Sequence, residues 1–155
     1  MKQRIEEAKK ILLDNRKNGY TLPTNNKLYP AQWNWDSAFI ALGYSYFNLD
    51  YALEEMETLL AGQWDDGMVP HILFHDNDTT YFPNHTTWKC GKNIPSSGIT
   101  QPPVIASILK IILGNQQINE GQNNRVVQII KKIKKYHDWF IKFRDPNKTG
   151  LISIL

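Results

Sequence analysis

An all-α architecture of packed helical hairpins is the fold this sequence predicts, on three observations. Five segments carry apolar residues at helical spacing, strand-like patterning is confined to residues 63–99, and turn or polar stretches separate the helices. The first helix is expected over 3–17, where Ile5, Ala8, Leu12 and Arg16 recur at helical spacing and Ile11 and Leu13 widen the apolar stripe. A turn-rich stretch from Asn18-Gly19 to Asn25-Asn26 ends it. The second helix is expected to start at Ser37, with Asp36 or Ser37 as its N-cap. Its Ala38, Phe39, Ala41, Leu42 and Phe47 are apolar nearly all round, the pattern of a buried helix. The third runs from an Asp50 cap to Ala61, with Ala52, Leu53, Met56, Leu59 and Leu60 on one face and Gly62 as its stop.

Residues 63–99 offer no convincing helix, and a loop that long is functional or disordered more often than idle. Its many large apolar side chains argue against disorder. Within it, Met68–Phe74 is expected to pair with Thr79–Phe82 as a hairpin turning at Asp76-Asn77-Asp78. A fourth helix follows Thr100-Gln101-Pro102-Pro103 and stops at Gly114, and a fifth spans about Asn123 to Phe143. Residues 144–150 read as a turn rather than a calcium loop. The apolar ending Leu151–Leu155 reads as extended, and as a chain cut off rather than a frayed, polar domain end.

Composition narrows the classes. A hydrophobic content of 41% and a charged content of 21% are globular values. One cysteine, Cys90, excludes an internal disulfide framework. No apolar run is long enough for a signal peptide or a membrane span, so a cytoplasmic location is expected, with no membrane partner. Charge is unevenly placed: residues 1–80 carry 7 Lys/Arg against 12 Asp/Glu, and residues 81–155 carry 11 against 3. The run Lys131, Lys132, Lys134 and Lys135 invites a nucleic-acid reading, but no aromatic interleaving or binding motif surrounds it. A solvated helix face is the better account, and no nucleic-acid partner is expected. His71, His75, Asp76, Asp78, His85 and Cys90 fit no standard zinc spacing, so neither metal nor cofactor is expected. Cys90 has no evident positioned base and reads as a bystander thiol.

Four of the five tryptophans, Trp33, Trp35, Trp64 and Trp88, fall outside the expected helices, together with Tyr29, Tyr81 and Phe82. Aromatic side chains in loops rich in short polar residues line sites more often than cores. A pyranose presents apolar C–H faces that stack on rings, and hydroxyls that need polar side chains in fixed places. Gln32, Asn34, Asp36, Gln63, His71 and Gln101 are of that kind. On chemistry alone, three readings stay open: a carbohydrate site, another small-ligand site, and aromatics that are purely structural.

Five motifs occur in order: YPAQWNWDSAFIALG from Tyr29, AGQWDDGMVPHILF from Ala61, YFP from Tyr81, SGITQPP from Ser97, and RDPNKTGL from Arg144. Together they resemble the N-terminal part of the mannosylglycerate/glucosylglycerate hydrolase-like enzymes, relatives of glycoside hydrolase family 63. The resemblance implies an (α/α)6 barrel with the site at one mouth, of which about five of twelve helices would be present as the front of a single domain over 1–155. It implies inverting hydrolysis of α-glycosidic bonds by a pair of carboxyl groups spaced to admit water. The family's general acid lies in a Trp-Glu-Ser-Gly-x-Asp-Asn-Ser motif and its second carboxylate near the C-terminus; neither motif is in this sequence. No catalytic residue is therefore assigned here, and the chain alone is expected to be inactive.

By the same resemblance Tyr29, Trp35 and Asp36 match residues that contact the sugar, while Tyr81 and Gln101 match the leaving-group side. Gln32, Trp33, Gln63, Trp64 and His71 stand in matching motifs, and Gln32, Gln63 and His71 join the expected contacts. The chain departs from the family after Tyr81-Phe-Pro83, where Asn84-His85 replaces a glycine-proline turn. A small carbohydrate is the expected ligand. The other expected partners are the remaining part of the barrel, or a second copy through apolar faces left uncovered. The rival reading is a non-catalytic carbohydrate-binding or interaction module.

Overall fold

The computed structural model describes residues 2–24, 28–76 and 78–153. Its helices are α1 Lys2–Asp14, α2 Asn34–Ser45, α3 Leu49–Ala61, α4 His85–Trp88, α5 Ile105–Asn115 and α6 Glu120–Arg144, and its strands are β1 Gln32–Trp33 and β2 Ile72–Leu73. The five long helices are those the apolar periodicity predicts, and α4 is a single added turn inside the long loop. α2 packs on α3 and α5, and α3 and α5 pack on α6, so two antiparallel hairpins stand side by side in two layers. The main core lies between them, with Ala38, Ala41, Leu53, Met56, Leu59, Leu60 and Ile112 all fully buried.

Local chemistry explains the ends. Asn48, not the expected Asp50, caps α3 by accepting from the Tyr51 amide at 3.2 Å; Asp50 sits in the first turn, where the helix dipole favours a negative charge. α6 starts three residues earlier than expected because Asn119 and Gln122 form a reciprocal capping box. Its Val126, Ile129, Ile133, Tyr136 and Trp139 form the buried stripe. Gly62 is required by proximity, since a Cβ there would lie 2.3 Å from Leu73 Cδ2.

The charge asymmetry is partly internal pairing across the α3–α6 seam. Arg125 binds Asp50 and Glu57, each at 2.8 Å, and Lys132 Nζ donates to the Leu60 carbonyl at 2.8 Å, satisfying the end of α3. Lys131, Lys132, Lys134 and Lys135 are all exposed, as a solvated face requires.

Four expectations need correction. α2 begins at Asn34, not Ser37: its N-cap is Trp33, with no side-chain cap, and Asp36 lies within the first turn. The Phe39 ring on that helix is 53% exposed rather than buried. α1 ends at Asp14 and fully buries no residue: Leu12 packs half-buried against the main core beside α2, while Ile5, Ile11 and Leu13 are exposed. The predicted hairpin does not form. Instead β2 pairs antiparallel with β1, Gln32 opposite Leu73 and Trp33 opposite Ile72. Residues 95–99 bond along the other side of β2: Phe74 N to Pro95 O at 2.9 Å, Ser97 N to Ile72 O at 3.1 Å, His71 N to Ile99 O at 2.8 Å. Ile72 and Leu73 are buried, so their backbone groups need protein partners on both edges. Asn77 of the expected turn, Asn25 and Asn26 of the first turn-rich stretch, and the last two residues lie outside the described residues.

The Arg144–Gly150 turn is closed by Asp145, whose carboxylate accepts from the Thr149 and Gly150 amides at 2.7 and 2.8 Å.

Candidate carbohydrate site

A second, smaller apolar cluster lies beside the main core. Ala31, Trp33, Ile72 and Phe74 form its buried part, and Tyr29, Tyr81 and Trp88 pack against it half-buried. Trp33 is the hub. Tyr29 meets it edge-on at 5.0 Å between ring centroids, Tyr81 at 5.2 Å and His71 at 6.3 Å. β1 delivers Trp33 to this cluster, and the chain then enters α2 directly, so Trp35 and Asp36 stand in the first turn of that helix.

Trp35 is 43% exposed, and its amide donates to Gln101 Oε1 at 3.2 Å, which ties the loop before α5 to the start of α2. The Gln101 carbonyl accepts from Tyr136 Oη at 2.8 Å, so this loop is anchored to α6 as well. Burial holds the Asp36 carboxyl above its ordinary value, opposed by hydrogen bonds from its own amide and the Trp35 side chain. Burial also pushes His71 below the usual imidazole value, and its Nδ1 has no hydrogen-bond partner among the described residues. That nitrogen is itself buried, so His71 belongs to the cluster through its edge-on contact with Trp33.

Two of the expected contacts are placed differently. Gln32 is fully buried behind the wall, its Nε2 donating to Glu55 Oε1 at 2.9 Å and its Oε1 lying 2.7 Å from His75 Nε2. Gln63 donates to the carbonyls of Gly67 at 2.8 Å and Lys132 at 2.9 Å, tying the turn after α3 to α6. It lines a separate cavity of about 460 Å³ with Trp64, Asp65, Asp66 and Lys92. Asn34, a polar residue of the same motif, is also spent internally, donating from Nδ2 to the Val69 and Pro70 carbonyls and to Tyr136 Oη at 3.1–3.2 Å.

Sequence reasoning missed Glu55. This carboxylate has no exposure and accepts from Ser37 Oγ at 2.6 Å as well as from Gln32. Burial raises it to about 7, against the opposing pull of Ser37, Thr21, Gln32 and Arg16. A signal existed: Glu55 falls three residues after Ala52 and four before Leu59, inside the apolar stripe of α3, where a carboxylate needs buried partners.

Helical hairpins in two layers therefore carry a cluster of aromatic side chains at the start of a core helix. The chain belongs to the mannosylglycerate hydrolase MGH1-like glycoside hydrolase domain family, whose family model matches residues 29–155. It is 41% identical over 154 residues to mannosylglycerate hydrolase MGH2 of Selaginella moellendorffii, covering 99% of this chain and 31% of that protein. Among solved structures it is similar to the GH63 mannosylglycerate hydrolase from Thermus thermophilus. The complex with Tris and D-glycerate matches with a TM-score of 0.87 at 38% identity, covering 95% of this chain and 35% of the other. The complex with glucose matches with a TM-score of 0.81 at 36% identity, covering 96% and 36%. The chain thus spans about a third of the length of the curated relatives it matches, and its two-layer hairpins are part of an (α/α)6 barrel.

Proposed function

We propose that Tyr29, Trp35 and Asp36, with His71, Tyr81 and Gln101, form the sugar-recognition wall of an inverting α-glycoside hydrolase that cleaves α-mannosyl or α-glucosyl bonds, with glucosylglycerate, mannosylglycerate or a small oligosaccharide as substrate. The observation that carries this reading is the placement of Trp35 and Asp36. An exposed indole and a half-buried carboxyl emerge together from the first turn of α2, braced by Gln101 and flanked by the Trp33 ring cluster. The ring face suits the apolar side of a pyranose, and the carboxylate suits a pair of hydroxyls. Solved relatives with glucose and D-glycerate bound support a small carbohydrate ligand for this chain.

In this reading residues 1–155 are the N-terminal part of one barrel domain, and the carboxyl pair that cleaves the bond lies outside them. Two apolar edges support it. A groove of about 300 Å³ between α5 and α6 is lined by Leu109, Leu113, Ile130 and Ile133. At the other end of the helix row α1 leaves Ile5 and Ile11 uncovered. Such edges suit further helical hairpins, and in their absence they favour self-association. The purified 155-residue chain is expected to release no detectable sugar from mannosylglycerate or glucosylglycerate. A general acid and a general base each contribute orders of magnitude to this reaction, and the chain carries neither motif. Measurable turnover by this chain would overturn that assignment.

A further inference from the structure

We propose that Glu55 is the positioning residue of the recognition wall: its single oxygen Oε1 accepts from Gln32 Nε2 at 2.9 Å and from Ser37 Oγ at 2.6 Å, the two residues that bracket Trp33–Asp36. The proposal rests on the reading of that segment as the sugar-contacting wall. Its geometry is specific. Gln32 ends the stretch on β1, Ser37 ends it one residue beyond Asp36 on α2, and one atom from α3 holds both. Gln32 also donates to the Glu55 backbone carbonyl at 3.2 Å, so its amide cannot turn away without breaking two bonds.

A carboxylate with no exposure is costly unless its hydrogen bonds repay it, and bonds to an ionised acceptor are about twice as strong as neutral ones. Glu55 Oε2 accepts no hydrogen bond among the described residues, so the two donors that bracket Trp33–Asp36 both depend on Oε1. Protonation leaves Oε1 a weaker acceptor for both donors at once. The wall is therefore held most firmly when Glu55 is charged and relaxes when it takes up a proton.

The groups facing Glu55 fix the conditions. From the turn after α1 come Arg16, Tyr20 and Thr21, and from α2 comes Tyr44. Arg16 is itself committed to Glu54 and lies over the Tyr51 ring at 3.9 Å. Beyond Gln32 lies His75, stacked on Tyr20 at 4.2 Å, and Tyr20 donates to Asp76 at 3.0 Å. Two groups could mimic a Glu55 titration at Trp35: His75, which burial moves below the usual imidazole value, and Asp36, whose raised carboxyl bonds the Trp35 side chain; Glu55→Gln leaves both in place.

The test is a pH titration of the chain labelled with 5-fluorotryptophan, with the Trp35 resonance assigned from Trp35→Phe and followed without sugar. In the unsubstituted chain the resonance is expected to move with a midpoint near 7. In Glu55→Gln that transition disappears. In Ser37→Ala the midpoint rises, because the lost hydroxyl favoured the charged form. A flat wild-type response, an unmoved midpoint in Ser37→Ala, or a transition that survives Glu55→Gln and vanishes in His75→Phe would each overturn the proposal. If Glu55→Gln fails to fold, the Ser37→Ala midpoint decides alone. A chain that shows the linkage but binds no sugar overturns the functional reading and leaves this one standing. Sugar binding without the linkage does the reverse.

Discussion

The stability of Glu55→Gln relative to wild type is expected to increase as pH rises from about 5 to about 8. The sign follows from the direction of the shift. Glu55 is raised in the folded state from 4.5 to about 7, so folded protein holds its proton more tightly than unfolded chain does. The contribution is fully present below the unfolded value and is lost as pH rises through the folded one. Above that, the wild-type fold has lost about 3 kcal/mol relative to its state with Glu55 protonated. His71 and His75, both lowered by burial, act in the opposite sense, since their contribution is lost as pH falls through their folded values. The difference between Glu55→Gln and wild type therefore isolates the carboxyl. Urea midpoints across the pH range measure it; a difference independent of pH would contradict the assignment.

Asn34→Ala is the second large effect, expected to destabilise the chain by about 2–4 kcal/mol. The Asn34 amide serves three acceptors from one fully buried position: the Val69 and Pro70 carbonyls and Tyr136 Oη. Alanine leaves the Pro70 carbonyl without that donor, while Val69 keeps the Thr100 hydroxyl at 2.6 Å, and opens a gap between α2, the loop before β2 and α6. Unfolding in urea should show the loss, with the indole signal of the Trp33 cluster changing in the native baseline. A loss below about 0.5 kcal/mol would mean that the carbonyls find other donors.

Much of the fold was legible because its long helices follow local apolar periodicity. The five apolar positions singled out on α3 are all fully buried. What escaped was non-local or chemically ambiguous. β2 pairs with β1, some forty residues earlier, and with 95–99, so a hairpin with its sequence neighbour was the natural but mistaken expectation. The competence of Asp36 and Ser37 as caps concealed that α2 starts at Asn34 with no side-chain cap. Within the site, Gln32, Asn34 and Gln101 have the same amide chemistry and comparable motif positions. Only packing separates them: the first two face inward to Glu55, Val69 and Pro70, and Gln101 braces the exposed Trp35. Tyr29, Tyr81 and His71 gather round Trp33 because β1 and the loop around β2 are joined, which no local pattern encodes.

In the proposed reading, that gathering sets the wall in place before any ligand arrives. Trp33 is locked by three edge-on rings, Gln32 and Ser37 are held by Glu55, and Asn34 is fixed by α6. Only Trp35 and Asp36 of the segment are left facing outward. A preorganised pair of this kind spends little binding energy on ordering itself.

Calorimetric titration of the chain with mannosylglycerate, glucosylglycerate and glucose tests the recognition wall most directly. Weak but saturable binding is expected for at least one of them, reduced about tenfold or more by Trp35→Ala and by Asp36→Ala, with near-UV spectra of both variants unchanged. Binding of undiminished strength in both variants, or no binding by a folded wild-type chain, would contradict the account.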